Sequence, residues 1–206
     1  MYNLGKMKRL LTILILIFTF QTPSWADDIR DFQIEGMSIG DSILDYFTEE
    51  QIKKNTFPSN NGKSFFRVKK FNIVDFYKHG TFKIYDNIQF MHKTSDKKYI
   101  IYYIAGDVDF PNDIKKCLKK KKEVIKIVSS DFNNLKRTDG TYKHKADKSG
   151  KSKVHETRFH LKSGESIELA CYEYSKEFEK KNNTINYFRL SVTTNEVTYF
   201  LKNEAY

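Results

Sequence analysis

Residues 110–132 read FPNDIKKCLKKKKEVIKIVSSDF, and the rest of the chain is arranged around them. Ile114, Leu118, Ile125, Val128 and Phe132 recur at spacings of 4, 7, 3 and 4, which predicts an amphipathic helix within Phe110 to Leu135. Lys115, Lys116, Lys119, Lys120, Lys122 and Lys126 fall on its other side, and Cys117 on its inner side. Lys121 interrupts the apolar stripe, so either its stem lies along the core with the ammonium reaching out or the helix is locally imperfect. Asp109 or Asn112 is placed to cap the helix.

Working outward, the net positive charge of residues 27–206 is confined to this region. Residues 27–109 carry a net −1, residues 110–153 a net +9 and residues 154–206 a net −1. Such a concentration of lysine attracts an anionic partner, and lysine without clustered arginine favours diffuse attraction over bidentate phosphate recognition. A solvated face that maintains solubility is the bland alternative.

Residues 1–26 have the parts of a secretory signal: Lys6, Lys8 and Arg9, an uncharged run from Leu10 to Phe20, then Ser24 and Ala26 at the positions a signal peptidase accepts. An uncharged run of eleven residues is too short for a span, which needs about 20. Cleavage after Ala26 and a periplasmic or secreted destination are the expectation. At that address the available anions are envelope components and acidic protein faces, and nucleic acid is not the favoured partner.

The hydrophobic content of 39% and aromatic content of 15% are those of a folded chain. From Ser38 to about Lys54, a capping box of Ser38 with Asp41, followed by Ile39, Ile43, Leu44 and Phe47, predicts a helix. Three strands are expected at Phe66–Asp75, Thr81–His92 and Lys98–Asp107, antiparallel because the turns between them are short. After the lysine helix, residues 133–153 hold almost no apolar side chain and predict a loop. Strands follow at Val154–Leu161, Ser166–Tyr174 and Thr184–Thr193, then a short closing helix capped by Thr194. The expected fold is α+β: two helix-plus-antiparallel-meander units, α-β-β-β at 27–109 and again at 110–206, sharing one core as a single domain. One continuous sheet with helices on one face, or two small sheets, would both satisfy the pattern.

The opening Phe32-Gln33-Ile34-Glu35-Gly36-Met37-Ser38-Ile39-Gly40-Asp41 resembles the start of a group of small, uncharacterised exported proteins of low-GC marine bacteria. Its Gly-Met-Ser entry, followed by a meander, is also similar in outline to beta-lactamase-inhibitor-protein-like and SmpA/OmlA-like domains. That second resemblance implies binding without catalysis. It covers only part of the chain, and the lipoprotein cysteine usual in the latter family is missing from the leader.

Cys117 and Cys171 are the only cysteines, and both fall on inward faces, which predicts a disulfide in an exported chain. His155-Glu156-Thr157-Arg158-Phe159-His160 nearly reads as a zinc-protease motif, but on a strand its two histidines point to opposite faces. Asp107, Asp109 and Asp113 could hold calcium, though capping of a helix N-terminus is the stronger reading. No metal or other cofactor is expected, and no nucleophile elbow or phosphate loop appears. Two readings follow: a non-catalytic binding or accessory protein with a basic face for an anionic or protein partner, and a small secreted hydrolase with dispersed residues. A concave site of converging polar groups would be needed by the second.

Overall fold

The computed structural model describes residues 28–57, 66–132 and 134–205; the expected leader lies outside them. Among these residues, eight strands form one antiparallel sheet: β1 (Thr56–Phe57), β2 (Phe71–Tyr77), β3 (Asn87–Lys93), β4 (Tyr103–Asp109), β5 (Lys136–Lys143), β6 (Lys153–His160), β7 (Ser166–Glu173) and β8 (Tyr187–Thr193). Helices are α1 (Glu49–Asn55), α2 (Ile114–Asp131), α3 (Lys176–Asn182) and α4 (Asn195–Asn203). The sheet order is β1-β2-β3-β4-β8-β7-β6-β5, so the last strands of the two halves, β4 and β8, meet at its centre. The α+β class holds.

Period-2 alternation divides each strand between two faces. Val74, Phe76, Ile88, Phe90, Ile104, Ile167, Leu169, Phe188 and Val192 are buried on one face, together with Ile34, Ile43, Phe47 and Ile52 of the first segment and the inner side of α2. On the other face, Val197 and Phe200 of α4 pack with Phe71, Met91, Tyr103 and Ala105. Helices therefore lie on both faces, and not on one. α4 forms as expected, with Thr194 Oγ1 accepting from Val197 N at 3.3 Å.

The helix expected from Ser38 to Lys54 is largely replaced. Gly36 and Gly40 adopt φ of +80° and +93°, left-handed values that L side chains resist and that break a helix before it starts. Half of the expected capping box is present, Ser38 N donating to Asp41 Oδ2 at 2.8 Å, but the Ser38 hydroxyl turns to Phe32 O. A 3₁₀ turn at Ile43–Asp45 follows. Helix begins only at α1, where Thr48 and Gln51 complete a capping box.

Residues 133–153 are not simply a loop, since β5 pairs with β6 over all eight of its residues. β5 is an edge strand with a largely exposed surface, so it needs no apolar pattern and is held by backbone hydrogen bonds. With β1, β5 and α3 added, the expected α-β-β-β repeat does not describe the element order. β3 also starts later than expected: residues 83–85 are held instead by Glu35 Oε1, which accepts from the backbone N of Lys83, Ile84 and Tyr85 at 2.9, 2.6 and 3.2 Å.

Candidate functional site

α2 crosses β7 and β8 and is tied down at one point. Cys117 and Cys171, both fully buried, form a disulfide with a Cα–Cα distance of 6.0 Å, joining helix to sheet as expected. Val128 and Phe132 continue the buried side. Leu118, expected in the stripe, is 38% exposed, because the stripe is rotated toward Cys117 and Lys121. Lys121 is buried, and its Nζ donates to His155 O at 2.7 Å; burial pulls its pKa below the ordinary lysine value. The cap is Asp113, accepting from Lys116 N at 3.0 Å, and not Asp109 or Asn112. Asn112 has φ of +61°, which places it in the turn before the helix.

The disulfide side faces the core, so the lysines face out. Lys115, Lys119, Lys122 and Lys126, spaced 4, 3 and 4 residues apart, share one stripe of about 16 Å along the axis. Lys116 and Lys120 lie beside it. Lys116 pairs with Asp113 at 3.0 Å; among the described residues the other five form no ion pair. All are exposed except Lys120, which is half-buried.

The opposite face of the sheet holds an arrangement that the sequence reading missed. α4 covers one end; at the other, His144, Tyr174 and Phe178 pack ring against ring, His144 lying 5.1 Å from Tyr174 and 5.4 Å from Phe178. Between them is a cleft of about 800 Å³. Strand register builds its floor from cross-strand rows. One row runs Arg158, Glu168, Ser191, Ala105, Gln89, Asp75, and the next runs Glu156, Ala170, Arg189, Asp107, Asn87.

The two arginines of these rows are paired with carboxylates, and Asp75 is held by Asn87. Arg189 Nε and Nη2 donate to the two oxygens of Asp107, each at 2.7 Å, and the Tyr187 ring lies 5.3 Å from the guanidinium. Burial alone would lower the Arg189 pKa, but Asp107 holds it well above the ordinary value. Arg158 pairs with Glu168 and, at 3.1 Å, with Glu156. Burial pushes the Glu168 carboxyl up against the pull of Arg158, and pushes Asp75 up against the hydrogen bond from Asn87. Asn87 Nδ2 bridges Asp75 at 2.8 Å and Asp107 at 3.1 Å. The wall bearing His144 and Lys145 is fixed by Asp147, whose carboxylate accepts from the hydroxyls and backbone N of Ser152 and Ser149 and is held far below the usual range by them.

The remaining sequence candidates are dispersed. Asp107 serves Arg189, Asp109 accepts from the Tyr77 hydroxyl at 2.7 Å, and Asp113 caps α2. His155 and His160 point to opposite faces, bonded to Thr141 and Thr138 respectively. His155 Nε2 also meets Glu173 Oε2 at 3.0 Å, giving a hydroxyl, imidazole and carboxylate in series, with Thr141 exposed on edge strand β5 and away from the cleft. Among the described residues no helix is long and apolar enough to cross a membrane. Comparison of the chain with protein-family models, with curated proteins and with solved structures gives no match.

Proposed function

We propose that this chain is an exported, non-catalytic binding protein that meets an anionic partner with the lysine face of α2. The observation that carries the reading is the stripe of Lys115, Lys119, Lys122 and Lys126, outward-facing and without carboxylate partners among the described residues, on a helix pinned to the sheet by Cys117–Cys171. Lysines already paired internally would have their field cancelled. These project theirs into solvent, where it attracts anions over roughly a Debye length of 8–10 Å. The envelope supplies suitable anions as phospholipid headgroups, lipopolysaccharide phosphates, acidic polysaccharides and acidic protein faces.

Co-sedimentation with phosphatidylglycerol vesicles and retention on an immobilised acidic polysaccharide test this. Binding to at least one should weaken as salt rises. The quadruple variant Lys115→Gln, Lys119→Gln, Lys122→Gln, Lys126→Gln should lose at least about a hundredfold in vesicle affinity, since each lysine contributes about 1 kcal/mol at an anionic bilayer. Wild-type protein that binds neither, or a variant that binds as well, removes the reading.

The second reading, a small hydrolase, draws on the series Thr141, His155 and Glu173. Hydrolysis of a generic ester panel that is lost in His155→Gln would support it over binding alone.

A further inference from the structure

We infer that the cleft on the α4 side of the sheet is a second binding site, independent of α2, whose ligand is an uncharged saccharide. Arg158 and Arg189 line the cleft with Asp75 and Glu168 and are paired with Glu156, Glu168 and Asp107, while Lys145 and Lys202 are exposed at it and form no ion pair among the described residues. On the floor an ionic ligand would find the guanidiniums of Arg158 and Arg189 already engaged by carboxylates, and separating such buried pairs is costly. An apolar ligand would strip water from Arg158, Glu168, Gln89 and Asp75 without replacing their hydrogen bonds.

A sugar hydroxyl both donates and accepts, and suits a floor on which donors and acceptors alternate. Arg158 and Arg189 each use Nε and Nη2 on carboxylates, and Nη1 of each has no partner among the described residues. Gln89 and Ser191 add an amide and a hydroxyl to the lining, flanking Ala105 in the strand register. The C–H faces of a pyranose need apolar and aromatic walls, which Ile73, Met91, Tyr103, Tyr187 and Leu201 provide. The row from Arg158 to Asp75 crosses five inter-strand gaps, about 24 Å at 4.8 Å per gap. That length fits an extended oligomer better than a single sugar. A mixed lining of this volume falls within the range of ordinary ligand sites.

Calorimetric titration of the full chain with neutral tetrasaccharides of α-1,4-glucose, β-1,4-glucose and β-1,4-N-acetylglucosamine tests the assignment. At least one should bind saturably, with an affinity that does not change between low and high salt, unlike binding to the lysine face. Gln89→Ala should weaken it about five- to tenfold, the loss of one or two neutral hydrogen bonds. Ser191→Leu should abolish it by filling the floor, while the quadruple lysine variant should bind the sugar unchanged. Should Ser191→Leu fail to fold, Gln89→Ala and the salt series decide. No binding by any of the three, or binding that is salt-sensitive or indifferent to Gln89→Ala, overturns the proposal.

Discussion

Breaking Cys117–Cys171 should cost a large part of the stability of this protein, and its size can be worked from the structure. The bond spans a sequence separation of 54. In the chain-entropy model, releasing a loop of that length gives the unfolded chain back about 14 cal/mol/K, or about 4 kcal/mol at about 25 °C. Single domains have total stabilities of about 5–15 kcal/mol, so the reduced protein should be marginal. In the native state little should change: Val128 and Phe132 still anchor α2, and the far-UV signal should match that of the oxidised form. The assay is urea unfolding followed by circular dichroism, with and without dithiothreitol, and with Cys117→Ser/Cys171→Ser as a variant that needs no reductant. Reduction should lower the extrapolated stability by about 3–5 kcal/mol and raise the denaturant slope, because an unlinked chain exposes more surface on unfolding. A difference below about 1 kcal/mol with an unchanged slope would refute the reasoning.

Three further outcomes are expected. His92 is 2% exposed, its Nδ1 bonded to Lys93 O and its Nε2 without a partner, and burial holds its pKa below the ordinary 6.5. The unfolded chain therefore binds the proton more readily, so stability from this residue is complete above pH 6.5 and falls as pH drops from there toward the folded value; His92→Gln should show a shallower loss in urea melts between neutral and mildly acidic pH. Arg189→Met strands the Asp107 carboxylate, 6% exposed, and should destabilise by about 3–5 kcal/mol, with much of the loss recovered in Arg189→Met/Asp107→Leu, measured in the same melts. Gly106→Ala places a methyl 2.5 Å from the Tyr85 ring and should cost about 1–3 kcal/mol in thermal or urea unfolding, relieved by Tyr85→Ala.

What could be read in the sequence followed from local periodicity. α2 announces itself through its apolar spacing, α4 through Thr194, and the disulfide through the inward placement of Cys117 and Cys171. β5 could not be read that way, since Lys136 to Lys143 borrow their order from β6 through the backbone ladder and polar side-chain bonds, which leave no apolar pattern. The N-terminal segment misled because Ile39, Ile43 and Phe47 have helical spacing, while the positive φ of Gly40 that overrides it is imposed by the packed chain. The lysine stripe was plain from spacing and charge. The cleft was hidden because period-2 reading assigns the polar face of a strand to solvent. Its one sequence signal was the presence of Asp75, Asp107, Arg158, Glu168 and Arg189 in strand interiors. Pairing Asp107 with Arg189, 82 residues apart, requires the sheet order itself.

That pairing also bears on when the molecule can exist. β4 finds its central neighbour only in β8, the final strand, so the first half of the chain must wait with a bare inner edge and an unanswered carboxylate at Asp107. Contacts this distant in sequence are slow to form. Folding of the two halves therefore closes late, like a zip fastened from its last tooth, and a chain truncated before Tyr187 should remain open to association with other strand edges.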